Sequence, residues 1–181
     1  MIPKINTSDA SDIIKNGGIV IYPTEGIYGI GCDPYNKHSV EKIFQIKGRD
    51  YDKRFILISS QAEFLTNIID IDIALDERLK SKDFVTWIVP AKNSCPSWLK
   101  SDAGVAVRIT QHPVVNDLCN KLGSPIISTS ANYANQEYIN DISIIEKLFD
   151  GKVSCIVNGK LGNKKKPSTV RDIISNELLR R

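Results

Sequence analysis

Lys47 and Arg49 stand two positions apart where an amphipathic stretch (Val40, Ile43, Phe44, Ile46) runs out, and Lys53 follows closely. An arginine fork pairs with phosphate or carboxylate in a plane, whereas a lysine contributes a compact point charge. These side chains can converge on one anionic ligand. The competing reading is a set of solvated cations favoured at a helix C-terminus by its dipole. Upstream, a buried run from Gly18 to Tyr22 breaks into Pro23-Thr24-Glu25-Gly26-Ile27-Tyr28-Gly29-Ile30-Gly31, read as a glycine-rich turn. Strand, bare-backbone turn and cationic cluster are the parts that a site for a phosphorylated, carboxylate-bearing ligand needs. The glycine order matches neither a Walker loop nor a dinucleotide fingerprint, so a tight turn explains it equally well.

Further along, Ser128-Thr129-Ser130-Ala131-Asn132 closes a short apolar run with three hydroxyls and an amide. As a bend it offers neutral donors and acceptors for oriented recognition, or it is an ordinary polar turn. No nucleophile elbow surrounds these serines, and the sequence places neither His38 nor His112 beside them. His112 reads as a capping or packing residue. Lys164 to Lys166 reads as a solvated loop.

The elements that must position these residues follow from periodicity. Helices are expected at Thr7–Asn16 (capped by Thr7 or Ser8 and stopped by Gly17-Gly18), across Val40–Lys47 with Gly48 as its terminal glycine, and from Pro113 to Gly123. Further helical patterns cover Ala62–Ile69, Ala74–Lys80 and Ile142–Phe149. Strands are expected at Phe55–Ser59, Phe84–Val89, Gly104–Ile109, Pro125–Ser128 and Val153–Val157, with a final short strand and tail ending in Leu179-Arg180-Arg181. Alternation in the Gly104–Ile109 segment puts Val105, Val107 and Ile109 on one face and Arg108 on the other. Mixed helices and strands without a linker or repeat predict a single α/β (α+β) domain spanning 1–181 around one twisted mixed sheet.

Composition excludes several classes. The chain has 181 residues, 41% hydrophobic and 25% charged, which fits a folded globular protein and not a disordered one. A net charge of +3 permits an anionic ligand or RNA surface without demanding one. Four dispersed cysteines, without a CxxC pair and with only two histidines, argue against zinc and for free thiols in a reducing compartment. The N-terminus has no signal-peptide pattern and no apolar run reaches spanning length, so a cytoplasmic protein without membrane association is expected.

Taken together, the ordered pieces resemble the YrdC-like (TsaC) threonylcarbamoyl-AMP synthases, collinearly from about Gly17 to Arg180. Tyr22-Pro23-Thr24-Glu25 through Gly31-Cys32-Asp33-Pro34 resembles the family's P-T-E segment. Lys47-Gly48-Arg49 carries its K-x-R and Ser130-Ala131-Asn132 its S-x-N. Val105-Ala106-Val107-Arg108 with His112-Pro113, then Pro167-Ser168-Thr169-Val170 and Leu179-Arg180, complete the match. Gly26 stands where many members have threonine or alanine, and Ser81-Lys82-Asp83-Phe84 replaces the family's W-P-G-P.

The resemblance implies a concave basic cavity and synthesis of L-threonylcarbamoyladenylate from L-threonine, bicarbonate or CO2, and ATP, with release of pyrophosphate. It implies ATP contacts by Arg49, Lys53, Ser130 and Arg180 with backbone near Gly104. It also implies a threonine site of Gly26, Arg108, Ser128 and Ser168, and a catalytic tetrad of Lys47, Arg49, Ser130 and Asn132. Mg2+ is expected to arrive with the nucleotide, because no carboxylate cluster offers a cage. Glu25 reads as a structural residue of its turn. Threonylcarbamoyl-transferase partners would then pass the group to tRNA. The alternatives are a double-stranded RNA-binding module of the same fold without turnover, and an inactive relative that binds ATP only.

Overall fold

The computed structural model describes residues 1–71, 77–81, 83–164 and 166–180. In chain order its elements are β1 (Lys4–Ile5), α1 (Thr7–Lys15), β2 (Val20–Pro23), β3 (Tyr28–Gly31), α2 (Lys37–Lys47), β4 (Ile56–Ser59) and a 3-10 turn (Ala62–Leu65). Then come β5 (Val85–Val89), β6 (Val105–Ile109), α3 (Pro113–Leu122), β7 (Ile126–Ser130), α4 (Ile142–Phe149), β8 (Cys155–Val157), β9 (Thr169–Asp172) and β10 (Leu178–Arg180). The strands make one ten-stranded sheet in the order β1-β8-β2-β3-β7-β4-β6-β5-β9-β10. It is mixed: β1/β8, β2/β8, β4/β6 and β5/β9 run parallel and the remaining neighbours antiparallel. The predicted α/β class with a mixed sheet flanked by helices is what the chain adopts.

Two apolar clusters hold helices against the sheet. One joins Ala10 and Ile14 of α1 to Val115 and Leu118 of α3 over Val20, Tyr22, Ile58 and Ile126. The other packs Val40, Ile43 and Phe44 of α2 and Ile145 and Phe149 of α4 against Ile21, Ile30 and Leu57. Each fully buried isoleucine or leucine contributes about 1.5–3 kcal/mol relative to exposure.

The end of α2 matters most for the site. Gly48 adopts the left-handed conformation at φ 59°, its N–H bonds Gln45 O, and the Arg49 N–H bonds Phe44 O. This glycine-terminated cap turns the chain sharply and launches Arg49 from a fixed point.

Several expectations are corrected. The cap of α1 is Asn6, whose side chain accepts from the Asp9 N–H at 3.0 Å, so neither Thr7 nor Ser8 fills that role. The glycine-rich segment is a turn only from Thr24 to Ile27; Gly29 and Gly31 lie within β3. They are small for packing reasons. A Cβ on Gly29 would meet the Tyr22 ring at 2.9 Å, and one on Gly31 would collide with the Ile127 carbonyl.

The Ser128–Asn132 stretch is likewise strand through Ser130, with the bend beginning at Ala131. The tail forms β10, antiparallel to β9, and β1 is a strand the periodicity did not mark. The Ala62–Ile69 pattern makes only the 3-10 turn. Of the Ala74–Lys80 pattern, 74–76 lie outside the described residues and 77–79 are helical. His112 sits at the start of α3 without a side-chain cap bond; its Nε2 lies 3.1 Å from the Lys160 carbonyl oxygen.

Candidate active site

Side chains alternate across a strand, so every second residue of neighbouring strands faces the same way. On one face of the β7-β4-β6-β5-β9 half of the sheet this alternation stacks Ser128 and Ser130, Ile56, Ala106 and Arg108, Thr86 and Ile88, and Val170. Register keeps them in rows: Ser128 lies opposite Ile56, Ile56 beside Ala106, and Ala106 opposite Ile88. A cavity of about 440 Å³ opens over this face, within the range of small-molecule sites. Its walls come from beyond those five strands: Lys47 and Arg49 from the end of α2, Arg54, Thr24 from the turn, Asn132 to Gln136 and Tyr138 from the loop after β7, Ser168, and Arg180 of the edge strand β10.

Lys47 is buried, and its ammonium donates to the carbonyl oxygens of Ser130 at 2.5 Å and Asn132 at 2.6 Å. Burial, with the nearby Arg49 charge adding to it, lowers its pKa to about 7. Lys47 therefore ties the end of α2 to the exit of β7, a use of its charge that sequence spacing did not reveal. Asn132 in turn donates through Nδ2 to the carbonyls of Tyr133 and Gln136, leaving its buried Oδ1 without a partner among the described residues.

Arg49 is half-buried. Its Nε donates to Lys53 O at 2.7 Å, its Nη2 to Arg54 O at 3.3 Å, and its guanidinium lies 5.4 Å from the Phe55 ring centroid. Burial and then the Arg180 charge lower its pKa, and both arginines line the cavity.

Arg108 is 7% exposed. Its Nη2 lies 3.2 Å from Glu25 Oε2, and its Nε is buried with no hydrogen-bond partner among the described residues. Burial lowers its pKa while Glu25 opposes the shift. Thr86 Oγ1 and Ser168 Oγ lie 2.6 Å apart, joining β5 to the segment before β9.

The structure thus brings Lys47, Arg49, Arg108, Ser128, Ser130, Asn132, Ser168 and Arg180 onto one cavity and leaves three expected residues off it. Lys53 points to solvent and pairs with Asp50 at 3.3 Å; only its carbonyl approaches Arg49. Gly104, at φ 117°, packs so tightly on the Val89 carbonyl that a Cβ would collide there, which marks a backbone requirement. Gly26 is sealed beneath the following loop, its Cβ position 2.5 Å from Lys166 O and 2.8 Å from Lys164 O.

Restoring a hydroxyl by Gly26→Thr is therefore expected to displace that loop and lower stability by about 1–3 kcal/mol. Urea denaturation of the variant checks this. Arg54 and Tyr138 line the cavity without having been singled out. Arg54 was one residue from the cationic cluster, while nothing in the local pattern of Tyr138 distinguishes it from a loop tyrosine.

The cavity of this mixed-sheet α/β protein is lined by the guanidinium groups of Arg49, Arg54, Arg108 and Arg180 and by hydroxyls, a lining whose chemistry suits an anionic small molecule. The particular family is set by comparison. Residues 12–181 match the Sua5/YciO/YrdC family model, described as telomere recombination, and the chain belongs to that family. It is 37% identical over 177 residues to a protein from Coxiella burnetii named threonylcarbamoyl-AMP synthase, covering 96% of this chain and 95% of that one. A Pseudomonas aeruginosa protein of the same name is 34% identical over 185 residues, with 99% of both chains covered. P. abyssi Sua5 complexed with L-threonine superposes with a TM-score of 0.83 at 26% identity, over 95% of this chain and 54% of that one. This chain thus spans about half the length of that protein. E. coli YciO shares the fold at a TM-score of 0.84, with 23% identity over 99% of this chain and 93% of YciO.

Proposed function

We propose that this protein synthesises L-threonylcarbamoyladenylate from L-threonine, CO2 or bicarbonate, and ATP, releasing pyrophosphate. The observation that carries the reading is one cavity lined by Arg49, Arg180 and the buried Arg108 together with hydroxyls, in a chain whose relatives over nearly the whole length bear that name. Arg49 and Arg180 face the triphosphate, Ser130 orients the nucleotide, and Arg108 with Ser128 and Ser168 receives the amino acid.

In this reading the threonine amine adds to CO2, losing a proton to give a carbamate. A carbamate oxygen then attacks the α-phosphorus, the bond to the β-phosphate oxygen breaks, and pyrophosphate leaves with the electron pair. No covalent enzyme intermediate is required. The protein aligns the reactants and offsets charge that builds on the leaving group.

Among the described residues no group of three or more His, Cys, Asp or Glu side chains could hold a metal ion. Mg2+ accordingly enters with the nucleotide phosphates as part of the substrate. No helix among the described residues is long and apolar enough to cross a membrane. The reading places the protein in the cytoplasm, where partner enzymes pass the threonylcarbamoyl group to tRNA.

Pyrophosphate release is expected only when ATP, bicarbonate and L-threonine are all present, with incorporation of labelled bicarbonate into the adenylate. If release ignores threonine, or if the only activity is salt-sensitive binding of double-stranded RNA, the synthase reading fails.

A further inference from the structure

We propose that Glu25 and Phe84 are positioning residues that hold the Arg108 guanidinium in the orientation that receives the amino-acid carboxylate. The inference rests on the synthase reading and adds two residues that the cavity itself does not touch. Neither side chain is among those lining it, so neither acts by meeting a ligand.

A buried guanidinium must be paired or its desolvation goes uncompensated. Glu25 Oε2 lies 3.2 Å from Arg108 Nη2, and the Phe84 ring centroid lies 4.9 Å from the guanidinium carbon, covering a face of the group. Arg108 lines the cavity and its Nε is buried with no hydrogen-bond partner among the described residues, so the guanidinium keeps donor capacity that the protein leaves unused. An unpaired donor of that kind is satisfied by an incoming acceptor in a fixed direction.

Glu25 is itself constrained. Its Oε1 accepts from Thr110 Oγ1 at 2.5 Å, its backbone carbonyl accepts from the Lys164 N–H at 2.8 Å, and the preceding Thr24 carbonyl accepts from Gly162 at 2.9 Å. The Glu25 carboxylate is thus anchored by Thr110, the residue after β6, and its backbone by the loop covering the turn. Phe84 occupies the segment where this chain lacks the tryptophan-proline pattern of its resembling family, and its ring supplies the second restraint. A guanidinium held in one orientation can pair with both oxygens of a carboxylate, whereas the amide offers only one acceptor. The subsite should therefore distinguish a carboxylate from its neutral amide.

The test uses the full chain, with calorimetric titration of L-threonine and L-threoninamide and steady-state kinetics. Glu25→Ala is expected to raise the threonine Kd and KM about tenfold or more and to narrow the preference for threonine over its amide. The loss falls on KM, with kcat at saturating threonine and the ATP KM changing by about twofold or less. Glu25→Gln, which keeps an acceptor, should recover binding to within about threefold of the unaltered chain. Phe84→Leu should weaken threonine about threefold to tenfold with the same pattern, and it decides the matter if Glu25→Ala does not fold.

Unchanged threonine affinity in these variants overturns the assignment, as does a parallel rise in the ATP KM, which marks a merely structural role. If the unaltered chain binds no threonine, the synthase reading falls and this inference with it. If it binds and the variants match it, only this inference falls.

Discussion

Arg49→Ala is expected to lower threonine-dependent pyrophosphate release by about 10²–10³-fold, the loss typical of removing one donor aimed at developing charge. Three features set the size of the effect. The guanidinium emerges directly from the left-handed Gly48 cap, so its origin is fixed. Its Nε and Nη2 are braced by the Lys53 and Arg54 carbonyls, so part of the ordering needed to meet a phosphate is already done. It shares the cavity with Arg180, and among the described residues no lysine stands in for it there, because Lys53 pairs with Asp50 in solvent and Lys47 is engaged with main-chain carbonyls. The measurement is the initial rate of pyrophosphate release at saturating ATP, bicarbonate and L-threonine. Arg49→Lys should recover only a fraction, since a point charge does not reproduce the fork. Turnover by Arg49→Ala at the unaltered rate would refute the role given to this residue.

Lys47→Met is the second large effect, and it acts through architecture. Methionine approximates the length of the stem but has no N–H, so the Ser130 and Asn132 carbonyls both lose the Lys47 donor, while Ser130 O keeps the Asn132 N–H at 2.9 Å. A buried acceptor left unpaired costs about 1–3 kcal/mol, and the Asn132 carbonyl has no other donor among the described residues, which puts the expected destabilisation at about 1–3 kcal/mol. Activity should fall in parallel, because the same carbonyls fix where β7 ends and where Asn132 turns.

The variant also carries a pH signature. Burial holds the folded-state pKa of Lys47 near 7, below its ordinary 10.5. Between those values the unfolded chain binds the extra proton, so the contribution of this group to stability rises as pH climbs from about 7 to about 10.5 and is least below pH 7. Urea unfolding of both proteins at pH 6 and pH 9 tests the sign. The gain attributable to this lysine should be present in the unaltered chain and absent from Lys47→Met.

What the sequence could show was local. Period-3.6 spacing and a terminal glycine located α2 and α3, and alternation in β6 put Arg108 opposite Val105 and Val107. These signals are short-range, written in which residues recur at the pitch of a helix or a strand. The same rules misjudged the glycine-rich segment. The need for glycine at Gly29 and Gly31 comes from Tyr22 and from the Ile127 carbonyl on a neighbouring strand, so a close packing requirement looked like a turn. The hydroxyl-rich stretch was misjudged for a related reason. Ser128 and Ser130 belong to a strand because β3 and β4 pair with it on either side, and polar side chains are accommodated there since they face the cavity.

By itself, then, the sequence determined an α/β chain with helices ending where Gly48 and Gly123 stand, and an ordered set of residue types matching one family. Tertiary structure alone decided which cations remain available to a ligand. Lys47, Arg49 and Lys53 look equivalent along the chain, yet one binds carbonyls contributed by residues more than eighty positions away, one faces the cavity and one faces water. Their difference lies in partners brought close by the pairing of β7 with β3 and β4. Spacing along a chain carries no record of such partners, because burial and hydrogen bonding depend on the whole fold.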